Sequence, residues 1–128
     1  MKKNIIPSLI KFHKQSQQLE LAWNADSFFF NAELLRVLSP SAEVRGHGVG
    51  NAVLQHGKQD VRIQKLEPTG NYALKIYFDD GHDSGLFNWE FFQDLAENQE
   101  QYWQEYLEKL KAAGKTRGPA SIQFKALD

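Results

Sequence analysis

The sequence predicts an α+β domain in which a small antiparallel or mixed β-sheet meander packs against C-terminal helices. Three observations predict it. Apolar residues alternate with period two in several short runs before Asn88; turn-forming Gly, Asn and Asp separate those runs; and beyond Asn88 the apolar period lengthens to that of a helix. The size agrees, because 128 residues suffice for one domain with one core, and nine Phe, three Trp and four Tyr within a 41% hydrophobic composition fill it.

Taken in order, Ile10 and Phe12 flank Lys11 as a first strand, and Leu19-Glu20-Leu21-Ala22-Trp23 is a second whose Leu19, Leu21 and Trp23 point inward. Asn24 to Ser27 reads as a turn into Phe28-Phe29-Phe30, which completes a three-stranded meander. A short helix follows from Asn31 to Leu38, capped by Asn31 and stopped at Ser39-Pro40, since a residue before proline avoids helical geometry. Residues 41–59 lose all periodicity and contain Gly46, Gly48, Gly50 and Gly57, which predicts a long connection.

Val61 and Ile63 open another strand, Glu67 to Asn71 forms a turn, and Tyr72, Leu74, Ile76 and Phe78 alternate along the next strand. Asp79-Asp80-Gly81-His82 supplies hairpin chemistry, and Gly85-Leu86-Phe87 returns antiparallel. Trp89, Phe92, Leu95 and Ala96 then share one helical face, while Trp103, Tyr106, Leu107 and Leu110 form a second register. Asn98 and Gln101 resemble a capping box, so a break is expected there, and Gly114 is placed to end the helix. Residues 1–114 are thus one domain and 115–128 a tail that orders only against a sheet edge or partner.

Charge and residue types exclude several function classes. Lys+Arg of 15 against Asp+Glu of 16 leaves a net charge of −1, which provides no field to hold a nucleic-acid backbone. With no cysteine there is no disulfide, no thiolate nucleophile and no sulfur-ligated metal. No segment approaches the ~20 apolar residues of a membrane span, and Pro7 and Lys11 interrupt any signal-peptide core, so a cytoplasmic protein without membrane contact is expected.

Candidate chemistry is concentrated in loops. Gly46-His47-Gly48-Val49-Gly50-Asn51 has a nucleotide-loop flavour, but Asn51 replaces the third glycine and no strand-loop-helix unit surrounds it. Asp79, Asp80, His82 and Asp83 gather oxygen and imidazole donors in one turn, to which His47 or His56 could be added. Ser39, Ser41 and Ser84 lack the flanking sequence of a nucleophile elbow.

Three ordered blocks resemble one known family: Leu35 to Gly48, Glu67 to Ala73, and Phe78 to Gly85. Over about Pro7 to Arg117 the chain is similar to the gamma-butyrobetaine hydroxylase-like N-terminal domain family. The resemblance implies a scaffold that, in full-length hydroxylases, precedes a jelly-roll oxygenase holding iron and 2-oxoglutarate. This chain ends before such a domain, so oxygenase activity is not expected. The family's zinc is held by three cysteines and a histidine. Ser39, Ser41 and Val44 stand at the cysteine positions and only His82 matches, so neither zinc nor another cofactor is expected. A similar domain is joined to P-loop ATPases that carry iron–sulfur clusters, which implies an accessory role linked to metalloprotein maturation.

The reading that results is a non-enzymatic accessory or protein-interaction domain. Its candidate binding surface comprises Arg36, Ser39, Ser41, Glu43, His47, Asn71, Asp79, Asp80, His82 and Asp83, presented to a protein partner. Two alternatives stand beside it: a metal-binding or metal-delivery domain built on His82 with Asp79, Asp80, Asp83 and His47, and a small-molecule enzyme of unknown class.

Overall fold

The computed structural model describes residues 6–40, 54–81 and 83–118, with the side chains of residues 83 and 84 left out. Its elements are β1 (Leu9–His13), β2 (Gln18–Trp23), β3 (Asp26–Asn31), α1 (Ala32–Val37), β4 (Ile63–Thr69), β5 (Ala73–Phe78), β6 (Asp83–Asn88) and α2 (Trp89–Ala113). The α+β class holds. The strands divide between two antiparallel sheets of three, ordered β1-β2-β3 and β4-β5-β6.

The first sheet forms because its alternation sorts side chains to two faces. Register aligns Ile10 with Leu21 and Leu21 with Phe28, and Phe12 with Leu19 and Leu19 with Phe30, so these residues share the inner face. Leu19, Leu21 and Phe30 are fully buried. The β2–β3 turn places Asn24 at φ 58, a left-handed conformation that asparagine tolerates.

In the second sheet, the alternating side chains of Leu74, Ile76 and Phe78 enter the core, as does Phe87 of β6. The expected turn at Glu67 begins later, because β4 continues to Thr69. Pro68 is tolerated there, where β4 lies at the sheet edge and a missing N–H breaks no interior ladder. Gly70, at φ 53, makes the turn, and Tyr72, expected in the strand, is exposed within it. The β5–β6 register shifts between Lys75 and Tyr77, and Gly85 in β6 takes φ 74, so the extra residue of this bulge sits where no Cβ obstructs it.

The Asn31 cap expected from sequence is present, and Asn88 caps α2 in the same way. Asn31 Oδ1 accepts from Leu34 N at 2.8 Å, and Asn88 Oδ1 accepts from Phe91 N at 2.7 Å. Asn98 has non-helical φ −124 and ψ 22, so α2 bends where a break was expected. The bonding there differs from a capping box: the Asn98 amide donates backwards to Asp94, and Gln101 donates to Glu105. Gly114, at φ 68, closes the helix.

One core joins the layers. Leu19, Leu21, Phe30 and Leu35 meet Leu74, Ile76, Phe78 and Phe87 of the second sheet and Trp89, Phe92 and Leu95 of α2. Val37, Tyr106 and Leu110 form a smaller cluster beyond the bend. Gln17 is a buried polar stitch between the sheets. Its Nε2 donates to Lys14 O at 2.8 Å, its Oε1 accepts from Ile63 N at 2.6 Å, and its own carbonyl accepts from Ala32 N. It holds φ 56 to do so, a strained conformation for a side chain of its kind.

Candidate functional site

The candidate residues in the described regions separate into two places. Arg36 lies in the last turn of α1, where a cation complements the helix dipole, and its side chain runs inward almost wholly buried. There its Nε donates to Asp80 Oδ2 at 2.8 Å, and Lys58 Nζ donates to the same oxygen at 2.7 Å. Arg36 Nη1 is buried without a hydrogen-bond partner among the described residues. The neighbouring Asp79 fastens the same turn to the approach of β4: Asp79 Oδ1 accepts from Arg62 N at 3.0 Å, and Asp79 N donates to Arg62 O at 2.9 Å.

Ser39 is buried just beyond α1, its N–H donating to Arg36 O. Arg36, Ser39, Asp79 and Asp80 therefore belong to a small charged junction between α1 and the β5–β6 turn. Asn71 does not join them. It sits in the β4–β5 turn, at the other end of the six-residue β5, where its carbonyl accepts from Trp89 Nε1 at 2.7 Å. Ser41, Glu43, Val44, His47 and His82 lie outside the described residues, as does the side chain of Asp83.

The chemistry of this junction is structural pairing. Both aspartates of the turn are engaged by cations or backbone N–H groups, and among the described residues no three His, Asp or Glu side chains gather as a metal site would need. The cleft lined by Asn31, Leu34, Gln99, Glu100 and Trp103 has a volume of about 180 Å³, below the usual range of small-molecule sites.

Sequence reasoning missed two features. The first is a clamp on α1, in which Arg117 Nε and Nη2 donate to Glu33 Oε2 and Oε1 at 2.9 and 2.7 Å. The guanidinium lies 5.1 Å over Trp103, and Thr116 and Arg117 carbonyls accept from Gly57 N and Gln59 N. Beside it, Tyr106 Oη donates to Gln55 O, and burial pushes this phenol up to about 12. An acidic residue inside the apolar run Ala32 to Val37 was the available signal for a buried pair; nothing local marks Arg117.

The second is a set of exposed apolar side chains on the first sheet, Leu9 and Phe29 on its outer face and Ile10 on the inner face at the β1 edge. Register puts Leu9, Lys11 and His13 of β1 on the outer face with Glu20 and Phe29. Ile6, Phe29, Ile10 and Leu9 remain 55%, 44%, 41% and 39% exposed. His13 packs against Phe29 with ring centroids 5.6 Å apart and bonds Glu20 at 2.8 Å, which lowers the Glu20 pKa. No helix among the described residues is long and apolar enough to cross a membrane.

The family model described as gamma-butyrobetaine hydroxylase-like, N-terminal, matches residues 10–93. Two proteins solved by NMR in solution are similar over nearly the whole chain. One is 52% identical, with a TM-score of 0.80 over 95% of this chain and 97% of its own. The other is 42% identical, with a TM-score of 0.74 over 98% of each chain. The crystal structure of a protein of unknown function from Acidithiobacillus ferrooxidans, described as a member of the DUF971 family, is 28% identical, with a TM-score of 0.61 over 75% of this chain and 98% of that one. No protein of curated function is a significant match.

Proposed function

Since the chain belongs to the gamma-butyrobetaine hydroxylase-like N-terminal domain family, we propose that it acts as a non-enzymatic accessory module that holds another protein. The observation carrying this reading is the cluster of large apolar side chains left exposed on the first sheet: Ile6, Leu9, Ile10 and Phe29. Scattered apolar exposure is ordinary, but here Ile6, Leu9 and Ile10 lie on or just before the edge strand β1, and Phe29 of β3 shares the outer face with Leu9. The charged junction at Arg36 and Asp80 braces α1 against a turn, and exposed Arg62 stands beside it.

Site-specific photo-crosslinking in cells tests this. A benzophenone side chain would be placed at Ile10, at Phe29, at exposed Arg62 beside the charged junction, and at exposed Glu108 on α2 as a control. A discrete protein adduct at one or more of the first three positions, lost on competition with unlabelled protein, is expected. A pattern indistinguishable from position 108 at all three would refute the interaction role.

A further inference from the structure

We propose that the edge of β1, unpaired among the described residues, accepts an extended segment of a protein partner in which apolar and acidic side chains alternate. This rests on the interaction reading above and adds the chemistry of the partner.

In the order β1-β2-β3, the far side of β1 carries no strand among the described residues. An antiparallel edge leaves every second residue's N–H and C=O pointing outward, ready to pair with an added strand. Ile10 shows that the side chains are also unfinished there. Register sets it on the core face beside fully buried Leu21, yet it is half uncovered because the sheet stops at β1. Leu9 is similarly open on the outer face. A strand laid along β1 would cover Ile10 with its apolar side chains and set the alternate ones on the outer face beside Leu9, Lys11 and His13.

Charge selects among occupants. From Ile6 to Lys14 the edge carries Lys11, His13 and Lys14 and no acidic residue. Glu20, opposite Lys11 on the next strand in, is shared: it bonds His13 and Ser27 as well as attracting Lys11, so it does not serve the outer side of β1. Lysine at an edge opposes pairing with a like strand, so a second copy of β1 would bring the same cations to the seam with no acid to meet them. A partner strand bearing Asp or Glu beside apolar residues satisfies Lys11 and covers Ile10 together.

The test is an NMR titration of the intact, isotope-labelled chain with two acetylated heptapeptides, one alternating valine with glutamate and the other valine with lysine. Saturable shifts and slowed amide exchange confined to residues 8–13 are expected with the glutamate peptide, and binding about tenfold weaker with the lysine peptide. Lys11→Glu, a surface change whose fold the same spectra report, should invert the preference. Equal binding of both peptides, or no shifts at residues 8–13, would overturn the inference. So would concentration-dependent self-association seen by sedimentation that Lys11→Glu strengthens, since the occupant would then be another copy. Crosslinking separates the two levels: adducts at position 62 with none at position 10 or 29 would sink the β1 inference and leave the interaction role standing, whereas no adduct at any of the three sinks both.

Discussion

Replacing Arg117 by alanine should unfold the protein markedly more easily, although the residue lies after the last helix. Its guanidinium makes two hydrogen bonds to Glu33, whose side chain is only 6% exposed, while Arg117 itself is 37% exposed. Breaking a fully buried pair from one side costs roughly 3–5 kcal/mol, because the remaining charge is stranded. Solvent reaches one partner here, and screening reduces the figure to about 1.5–2 kcal/mol. Loss of the stacking over Trp103 adds about 0.5–1 kcal/mol. The sum is roughly 2–3 kcal/mol, which for a chain of this length lowers Tm by roughly 8 °C. The bonds from Gly57 N and Gln59 N run to main-chain carbonyls and survive the substitution, so the change isolates the side chain. Urea denaturation of Arg117→Ala, Glu33→Gln and the double variant closes a cycle in which a coupling of about 1 kcal/mol or more is expected. A single-variant loss below about 0.5 kcal/mol, or coupling indistinguishable from zero, would refute the reasoning.

Three further outcomes follow from the same geometry. Gln17→Ala should cost about 2–3 kcal/mol in denaturant melts, because it leaves Ile63 N buried without its 2.6 Å acceptor, and Gln17→Gly should cost less, since glycine relieves the φ of 56. Glu20 has its pKa lowered from the ordinary 4.5, chiefly by its bond to His13, so its contribution is complete above that value and fades as pH falls through the lowered one. Acid unfolding followed by circular dichroism should therefore begin at higher pH in His13→Ala than in the parent. Tyr106, pushed up to about 12 by burial, should lag in a phenolate absorbance titration, and the stability it contributes is present below pH 10 and declines as pH rises from 10 toward 12. Tyr106→Phe should remove that late step; an unchanged titration would contradict the assignment.

Much of the local structure was legible because it is written in short-range patterns. Leu19, Leu21 and Phe30 announce their faces by period two, Asn31 marks its helix start by being able to accept from the third residue onward, and Gly114 marks a helix end by tolerating positive φ. The division into two sheets was not legible, since periodicity tells a strand which face to bury and says nothing of which strand lies beside it. Pro68 shows the difference: a turn is its ordinary meaning, and only the edge position of β4 permits it within a strand.

The candidate site was legible as a set of residue types and not as pairings. Arg36 and Asp80 were both singled out, yet their bond joins positions 44 apart, and Lys58 enters from a third segment. Asn71 belonged to the same family block pattern but lies at the opposite end of β5, where its carbonyl serves Trp89. The Glu33–Arg117 clamp spans 84 residues, beyond the reach of any motif.

The Gln17 stitch carries a consequence for how the chain reaches this state. Each sheet is a meander of sequence neighbours and closes through short loops, which favours rapid local pairing. Neither can keep its greasy side dry alone, for the cover of each is the other together with α2. Gln17 to Ile63 fixes how the two halves meet, and it does so with directional bonds that apolar contact lacks. Assembly should thus require the two sheets to meet in correct alignment before either is stable, which makes that alignment the step that sets the rate.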